Sequence, residues 1–203
     1  MKYLVLAFVF AAGFLAAHLT GVTGAADPKP AEPVTANPTV PPPPNPNIDM
    51  AGHLKGAQAA ALIREQHRLT EDDFLKMSQA EGVILLDARS KEMYDLLHIK
   101  GAINLSFPDI DIQSLKKVLP DKNAKILIYC NNNFTPATGA RPNPNNDPKA
   151  RLVAEAMRPK EKVASLNIST FIALHNYGYK NVYELGPLLD PTTTKLELVS
   201  TKK

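Results

Sequence analysis

The sequence predicts an α/β domain with a mostly parallel central sheet that is flanked by helices on both faces. Four short apolar runs have the length and composition of buried strands, at residues 83–87, 102–105, 125–129 and 181–185. Helical patterns separate these runs, and strands that alternate with helices favour parallel pairing. The 203 residues are enough for one such domain with additional segments attached to it.

The N-terminal residues are unlike the rest of the chain. Lys2, an apolar run over 3–17 and small residues over 21–26 are typical of a secretory signal, so residues 1–25 are interpreted as a signal peptide. An uncleaved anchor is the alternative, because the run approaches the length that spans a bilayer. The first interpretation implies a periplasmic or extracellular protein, and the second implies a protein attached to the membrane.

Proline-rich residues 26–47 are predicted to form an extended, semi-rigid spacer. An extra N-terminal helix is predicted over 48–66, and the main domain over 67–190. Its helices, with Thr70 and Ser90 as N-caps of the first two, are predicted at 71–80, 91–97, 111–119 and 163–177. Residues 191–203 remain as a C-terminal tail.

Residues 135–161 are predicted to form an insertion within the domain. Its first half is rich in proline and asparagine, which predicts a loop, and a short helix is predicted over 150–157. A loop of this length in a compact domain is either a functional lid or an inert addition, and both interpretations stay open.

Charge and histidine spacing exclude several kinds of partner. The formal net charge is +3, and removal of residues 1–25 with Lys2 leaves 22 basic against 20 acidic residues, a net charge of +2. This balance is too weak to predict a nucleic-acid partner, and contact with a membrane is expected only if the N-terminal segment is uncleaved. His53, His67 and His175 have no metal-ligand spacing, so neither a metal site nor a cofactor is predicted.

Cys130 is the only cysteine, and it directly follows the predicted strand 125–129. The polar residues after it cannot continue a buried strand. A cysteine at the carboxyl end of a parallel strand lies where α/β sheets place their reactive groups. A buried cysteine that only fills space is the alternative, because free cysteine is among the most buried residue types.

Three further stretches carry a resemblance to a known family. Asp87-Ala88-Arg89 follows a strand, His98-Ile99-Lys100-Gly101-Ala102-Ile103-Asn104 comes next, and residues 177–186 run from a helix into a strand. Together they resemble the rhodanese family, which carries Asp-x-Arg after a strand and then Gly-His-Ile-x-Gly-Ala-x-Asn. Leu97 replaces the glycine before His98. The resemblance covers residues 69–190 and implies a rhodanese-like three-layer α/β domain.

The resemblance implies that Cys130 is a nucleophile that takes a sulfur atom from a donor and passes it to an acceptor thiol. The active-site loop would be Cys130 with Asn131, Asn132, Asn133, Phe134 and Thr135, and Asp87 and Arg89 would support it. A lowered thiol pKa would come from backbone N–H groups of the loop and from the N-terminus of the helix near Val163.

The loop departs from the family pattern because it contains neither glycine nor arginine. A missing arginine removes the fixed charge that would hold an anionic donor. Three functions therefore remain open: a sulfurtransferase or persulfide carrier, a non-catalytic module that binds a protein partner, and a thiol redox sensor.

Overall fold

The computed structural model describes residues 41–134 and 148–202, with side chains from residue 152 onward in the second segment. The predicted signal peptide or anchor, most of the spacer, Thr135 and the first part of the insertion lie outside these residues. The folded unit begins at Asn45. Among the described residues, no helix has both the length and the apolar content that crossing a bilayer requires.

Six helices lie within the described residues, and they match the predicted ones to within a few residues at each end. They are α1 (Met50–Arg64), α2 (Glu71–Ser78), α3 (Lys91–Leu96), α4 (Ile112–Val118), α5 (Pro148–Ala156) and α6 (Leu166–Asn176). Thr70 and Ser90 cap α2 and α3, as their side-chain type predicts. Gly178, at φ 91°, ends α6 in the left-handed conformation that glycine adopts without strain.

The four predicted strands and a further short strand at Arg68–Leu69 form a five-stranded sheet in which every pairing is parallel. The strands of the protein are β1 (Arg68–Leu69), β2 (Val83–Asp87), β3 (His98–Ile99), β4 (Ile103–Asn104), β5 (Lys125–Tyr129), β6 (Val182–Leu185) and β7 (Leu198–Val199). The sheet order is β1-β6-β5-β2-β4. The predicted α/β fold with a mostly parallel central sheet is therefore confirmed.

Alternating side chains of β5 point to opposite faces of the sheet and belong to two separate cores. Leu127 and Tyr129 pack on one face, which α2, α3 and α5 cover. Ile126 and Ile128 pack on the other face, which α1, α4 and α6 cover. Helices on both faces explain why this strand has no polar side alternating with an apolar one.

The C-terminal residues 191–202 are part of the folded domain. β7 pairs antiparallel with β3, so Leu198 lies opposite Ile99 and Val199 opposite His98. Leu196 is only 3% exposed and belongs to the core on the α2–α3–α5 face. A pairing over two residues is too short to produce a recognisable sequence pattern. Residues 191–203 were therefore predicted as a tail, and the strand pairing was not predicted.

Helix α1 is held to the sheet by a buried ion pair. Arg64 donates to both carboxylate oxygens of Glu184 on β6, at 3.0 and 2.6 Å, and the Glu184 side chain is 2% exposed. Burial raises the pKa of Glu184, and the charges of Arg64 and Arg68 oppose that shift. The extra N-terminal helix is thereby attached to the domain at the carboxyl half of β6.

Candidate active site

Cys130 lies at the carboxyl edge of the sheet, on the face that α6 covers. Ile126 and Ile128 precede it at two-residue intervals on that face, and the alternation of strand side chains places Cys130 there as well. Its Sγ atom is 3.5 Å from Oγ of Ser165, the residue before the first turn of α6. Cys130 is 1% exposed, so the sulfur is enclosed by protein.

The polar residues after Cys130 form one turn of 3₁₀ helix over Asn131–Asn133, with Cys130 as its N-cap. The Asn133 N–H donates to the Cys130 carbonyl at 3.1 Å and also faces the Cys130 side chain. In return, Asn133 Oδ1 accepts from the Cys130 N–H at 3.0 Å. This turn is tighter than the open cradle expected from the resemblance, because its later amides bond to carbonyl groups of the same turn.

The side-chain amides of the three asparagines bind protein groups. Asn131 Nδ2 donates to the Arg158 carbonyl. Asn132 makes two bonds to the backbone of Lys160, at 2.8 and 3.0 Å. These contacts fasten residues 158–160, which follow α5, over the cysteine turn. One N–H of each amide is thus already used, and that N–H reaches a bound anion only if this segment moves.

Asn133 connects the cysteine turn to the neighbouring strand and helix. Its Nδ2 donates to the carbonyl of Leu185 at the end of β6, at 2.7 Å. Its Oδ1 accepts from Asn167 Nδ2 in the first turn of α6 at 2.9 Å. Phe134, next in the predicted loop, is fully buried and forms an isolated bridge with Leu189. The turn is therefore rigidly positioned by contacts on both sides.

Asp87 and Arg89 form a buried ion pair on the opposite face of the sheet from Cys130. Arg89 donates to Asp87 through Nε and through Nη2, which lies 2.6 Å from Oδ2. Its Nη2 also donates to the Leu97 carbonyl, and its Nη1 donates to the Ala156 carbonyl. Burial by itself lowers the pKa of Arg89, but the hydrogen bonds and charge of Asp87 outweigh it and raise that pKa. Arg89 thus pairs with Asp87 and not with Glu92, the next carboxylate along the chain.

Tyr129 is a third member of this buried group, and the sequence patterns did not indicate it as a site residue. Its hydroxyl donates to Asp87 Oδ2 at 2.5 Å and accepts from the Ile99 N–H at 3.0 Å. Burial raises the pKa of Tyr129 well above its ordinary value, and the Asp87 charge adds to that shift. The strand register, which pairs Asp87 with Tyr129, brings the two side chains together.

The family-like stretch after α3 stabilises the same region. His98 Nδ1 lies 2.7 Å from the Tyr94 carbonyl oxygen, so this nitrogen carries the proton, and the ring stacks on Tyr94. Asn104 Nδ2 donates to the carbonyl groups of Asp87 and Arg89. Both residues hold the backbone after β2, which agrees with a structural role for His98.

A cleft of about 230 Å³ opens beside the cysteine turn. It is bounded by α1, the end of β6 and the start of α6, and it is lined by Arg64, Arg68, Asn132, Asn133, Lys162, Ser165, Asn167, Ile168, Glu184, Leu185 and Gly186. Its three basic residues are Arg64, Arg68 and Lys162. Arg64 and Arg68 were missed because sequence distance conceals that α1 ends next to β6.

The predicted site residues thus divide into two groups. Cys130, Asn131, Asn132 and Asn133 lie together at the carboxyl edge near Ser165, whereas Asp87 and Arg89 lie across the sheet from the thiol. Arg89 acts on the site at a distance, since it holds the end of α5 at Ala156, two residues before the segment that the asparagines bind. Thr135 lies outside the described residues.

Comparison with known proteins agrees with this architecture. The family model described as Rhodanese-like domain matches residues 70–185, which is more than half of the chain. No curated protein sequence matches the chain.

Solved structures with a similar fold include three bacterial proteins. A rhodanese with anions from E. coli is 19% identical, with 58% of this chain and 98% of that one covered and a TM-score of 0.32. The BH2092 protein from Bacillus halodurans is 19% identical, with 73% and 87% covered and a TM-score of 0.40. A thiosulfate sulfurtransferase from Pseudomonas aeruginosa is 13% identical, with 75% and 24% covered and a TM-score of 0.38.

Proposed function

The chain belongs to the rhodanese-like domain family, and on that premise we propose that it is an exported sulfurtransferase or persulfide carrier with Cys130 as its nucleophile. The observation that supports this most directly is the position of the Cys130 sulfur, 3.5 Å from the Ser165 hydroxyl at the N-terminus of α6. The partner would be a small sulfur donor and, in the second step, an acceptor thiol.

Two kinds of hydrogen-bond donor lie beside the sulfur. The free N–H groups at a helix N-terminus carry partial positive charge, which stabilises a thiolate or a persulfide anion. Ser165 makes no side-chain cap to its own helix, so its hydroxyl is available to donate to the sulfur. These two groups are the donors that a persulfide on Cys130 would meet.

The reaction transfers one sulfur atom without net oxidation. The Cys130 thiolate attacks the outer sulfur of a persulfide R–S–SH, the S–S bond of the donor breaks, and R–S⁻ leaves. Cys130 then carries –S–SH, and an acceptor thiolate takes the outer sulfur in the reverse sense. The proton of the Cys130 thiol passes to water or buffer before attack.

A persulfide is a better donor for this site than thiosulfate. Thiosulfate carries two negative charges, and residues 130–135 contain no cation. One N–H of each of the Asn131 and Asn132 amides is bonded to the backbone of residues 158–160, so a dianion gains at most one further neutral donor from each amide without breaking those bonds. Charge-assisted hydrogen bonds are about twice as strong as neutral ones, so the absence of arginine weakens thiosulfate binding.

A non-catalytic, protein-binding module is the second candidate, and one observation favours it. Cys130 is 1% exposed beneath a segment held by Asn131 and Asn132, so the thiol reacts only after local opening. A permanently closed thiol would leave the domain as a binding surface. The same burial disfavours a redox sensor, because a mixed disulfide needs even more space than a transferred sulfur atom.

One experiment separates these candidates. Intact-mass spectrometry after incubation with a small thiol persulfide is expected to show the addition of one sulfur atom to the wild-type protein. The Cys130→Ser variant is expected to show none, and thiosulfate to give much less adduct than the persulfide at equal concentration. A wild-type protein that remains unmodified by both donors would leave the binding module as the function.

A further inference from the structure

The cleft beside the cysteine turn has a basic wall that the family domain does not supply. Arg64 and Arg68 lie before residue 70, where the family match begins, and they come from the extra helix and the strand that follows it. Lys162 faces them from the segment that leads into α6. The additional N-terminal helix therefore contributes directly to the surroundings of the candidate site.

The charges in this cleft do not cancel. Its lining contains three cations and one carboxylate, that of Glu184. Glu184 is bound bidentately by Arg64 at 3.0 and 2.6 Å and lies 3.3 Å from Nε of Arg68. Arg64 is neutralised by this pairing. Arg68 is 41% exposed and also donates to Glu65, which lies outside the lining, at 3.2 Å, so most of the uncompensated positive charge is that of the exposed Lys162. An anion entering the cleft meets these two cations in a partly desolvated space, where attraction is stronger than in open water.

The cleft leads toward the thiol. Ser165, whose hydroxyl contacts Cys130 Sγ, is one of its lining residues, and Asn133, which is bonded to the Cys130 N–H, is another. A molecule in the cleft is thus separated from the sulfur by the Ser165 side chain, a small group with one rotatable bond.

From this arrangement we infer that the cleft binds the carboxylate of a small thiol persulfide and directs its outer sulfur to Cys130, with Arg68 and Lys162 as the residues that select an anionic donor. The inference rests on the proposed function, and it adds the chemical class of the donor. A volume of about 230 Å³ lies below the 300–1,000 Å³ typical of sites for drug-sized ligands, and a donor of amino-acid size fits it.

Two donors of similar size test the inference. The persulfide of 3-mercaptopropionate carries a carboxylate, and the persulfide of 2-mercaptoethanol is neutral. The rate of sulfur addition to Cys130 is measured by intact mass with each donor, for the wild type, Lys162→Gln and Arg68→Gln. Lys160→Gln is the matched control, since Lys160 is also exposed and lies two residues from Lys162 but does not line the cleft.

Lys162→Gln and Arg68→Gln are each expected to slow the reaction of the anionic donor by about fivefold, the size of a partly exposed charge contact, and to leave the neutral donor unaffected. Lys162→Glu is expected to slow the anionic donor further. Lys160→Gln is expected to change neither rate. Because the Lys162 side chain is exposed, its variants report on the cleft even if Arg68→Gln disturbs folding through Glu184.

Other outcomes overturn the inference and differ from a failure of the proposed function. If both donors react with the wild type but the Lys162 variants slow them equally, or slow neither, the cleft does not select the donor. An equal effect of Lys160→Gln would reveal a general charge effect and would also overturn it. If neither donor reacts with the wild type, the proposed function itself is wrong, and this inference is wrong with it.

Discussion

Three consecutive asparagines perform different structural tasks at the candidate site. Asn131 and Asn132 hold the backbone of residues 158–160, and Asn133 joins the cysteine turn to β6 and α6. A hydrogen bond inside a protein contributes about 1 kcal/mol net, but an unpaired buried partner costs more, so each of these amides is difficult to replace. In a more open loop these side chains would contact a substrate. Here they bind groups of the protein and close the loop.

Tyr129 offers the clearest test at the level of single residues. Tyr129→Phe removes the hydroxyl that accepts from the buried Ile99 N–H, and this N–H then lacks its partner. The free energy of unfolding is expected to fall by about 2 kcal/mol, the cost of one unsatisfied buried group. Urea denaturation at neutral pH measures the change.

Tyr183→Phe is the control for this prediction. It makes the same chemical change on the neighbouring strand β6, at a half-buried position where the ring stacks on His67. It is expected to alter the free energy of unfolding by less than about 0.5 kcal/mol, as is usual for partly exposed positions. Equal losses in both variants would contradict a special role for the Tyr129 hydroxyl.

Among the elements, α1 is a helix that lies before the family match and packs onto the domain. Asp49 caps its start, accepting from the Gly52 N–H at 2.8 Å, and Ala60 is its one buried residue. Several of its apolar side chains stay exposed, including Met50, Leu54 and Leu62. Apolar burial along α1 is therefore small; the helix packs against α6, and the Arg64–Glu184 ion pair joins its C-terminal end to β6.

Arg64→Met is expected to lower the free energy of unfolding by about 3 kcal/mol at pH 7, because it leaves a buried carboxylate with only the more distant Arg68. The loss should be pH-dependent. The folded-state pKa of Glu184 is already raised by burial and rises further without Arg64, so the folded protein holds this proton more tightly than the unfolded chain. Stability then falls as pH rises from the unfolded value of about 4.3 through the folded one.

Urea denaturation of Arg64→Met at pH 5 and pH 7 is therefore expected to show the smaller loss at pH 5. Adding Glu184→Gln to the variant should recover much of the loss at pH 7, since no buried charge remains. Lys100→Met, which breaks an exposed pair with Glu197, should cost less than about 1 kcal/mol. A loss in Arg64→Met that is the same at both pH values would rule out the buried carboxylate as its cause.

For the whole molecule, the important feature is that one segment connects the two faces of the sheet. Arg89 holds its beginning at Ala156, the asparagines hold it at Arg158 and Lys160, and it ends at Ser165 beside the thiol. The described half of the insertion is thus fastened to both parts of the candidate site. Any opening that exposes Cys130 on this side must break contacts to both parts of the candidate site.

Export concerns the whole chain, and it remains a prediction from residues 1–25. The mature N-terminus, identified by mass spectrometry of the protein from its native cell, is expected near Ala26 or Asp27. Val9→Arg places a charge in the apolar run and is expected to leave the precursor uncleaved inside the cell. Recovery of the full-length wild-type chain in the membrane fraction would instead establish an uncleaved anchor.

Much of the fold could be predicted from local patterns in the sequence. Strands β2 and β5 begin and end where the apolar runs do, and Thr70 and Ser90 cap the predicted helices. The two-residue strands β1, β3 and β7 could not be predicted, because a pairing of that length depends on the partner that the fold brings to it. Leu196 is likewise a core residue because the pairing of β7 with β3 places this segment on the domain.

From the sequence alone, the apolar runs predicted an α/β domain and a lone cysteine directly after a central strand, because such patterns are local properties of the chain. The quoted motif residues added the resemblance to the rhodanese family. The tertiary structure decided which groups surround that cysteine. It placed Asp87 and Arg89 across the sheet, turned the asparagines toward the backbone of residues 158–160, and brought Arg64 and Arg68 beside Ser165. Those placements depend on which face each side chain takes and on how distant segments dock, and no local pattern encodes either.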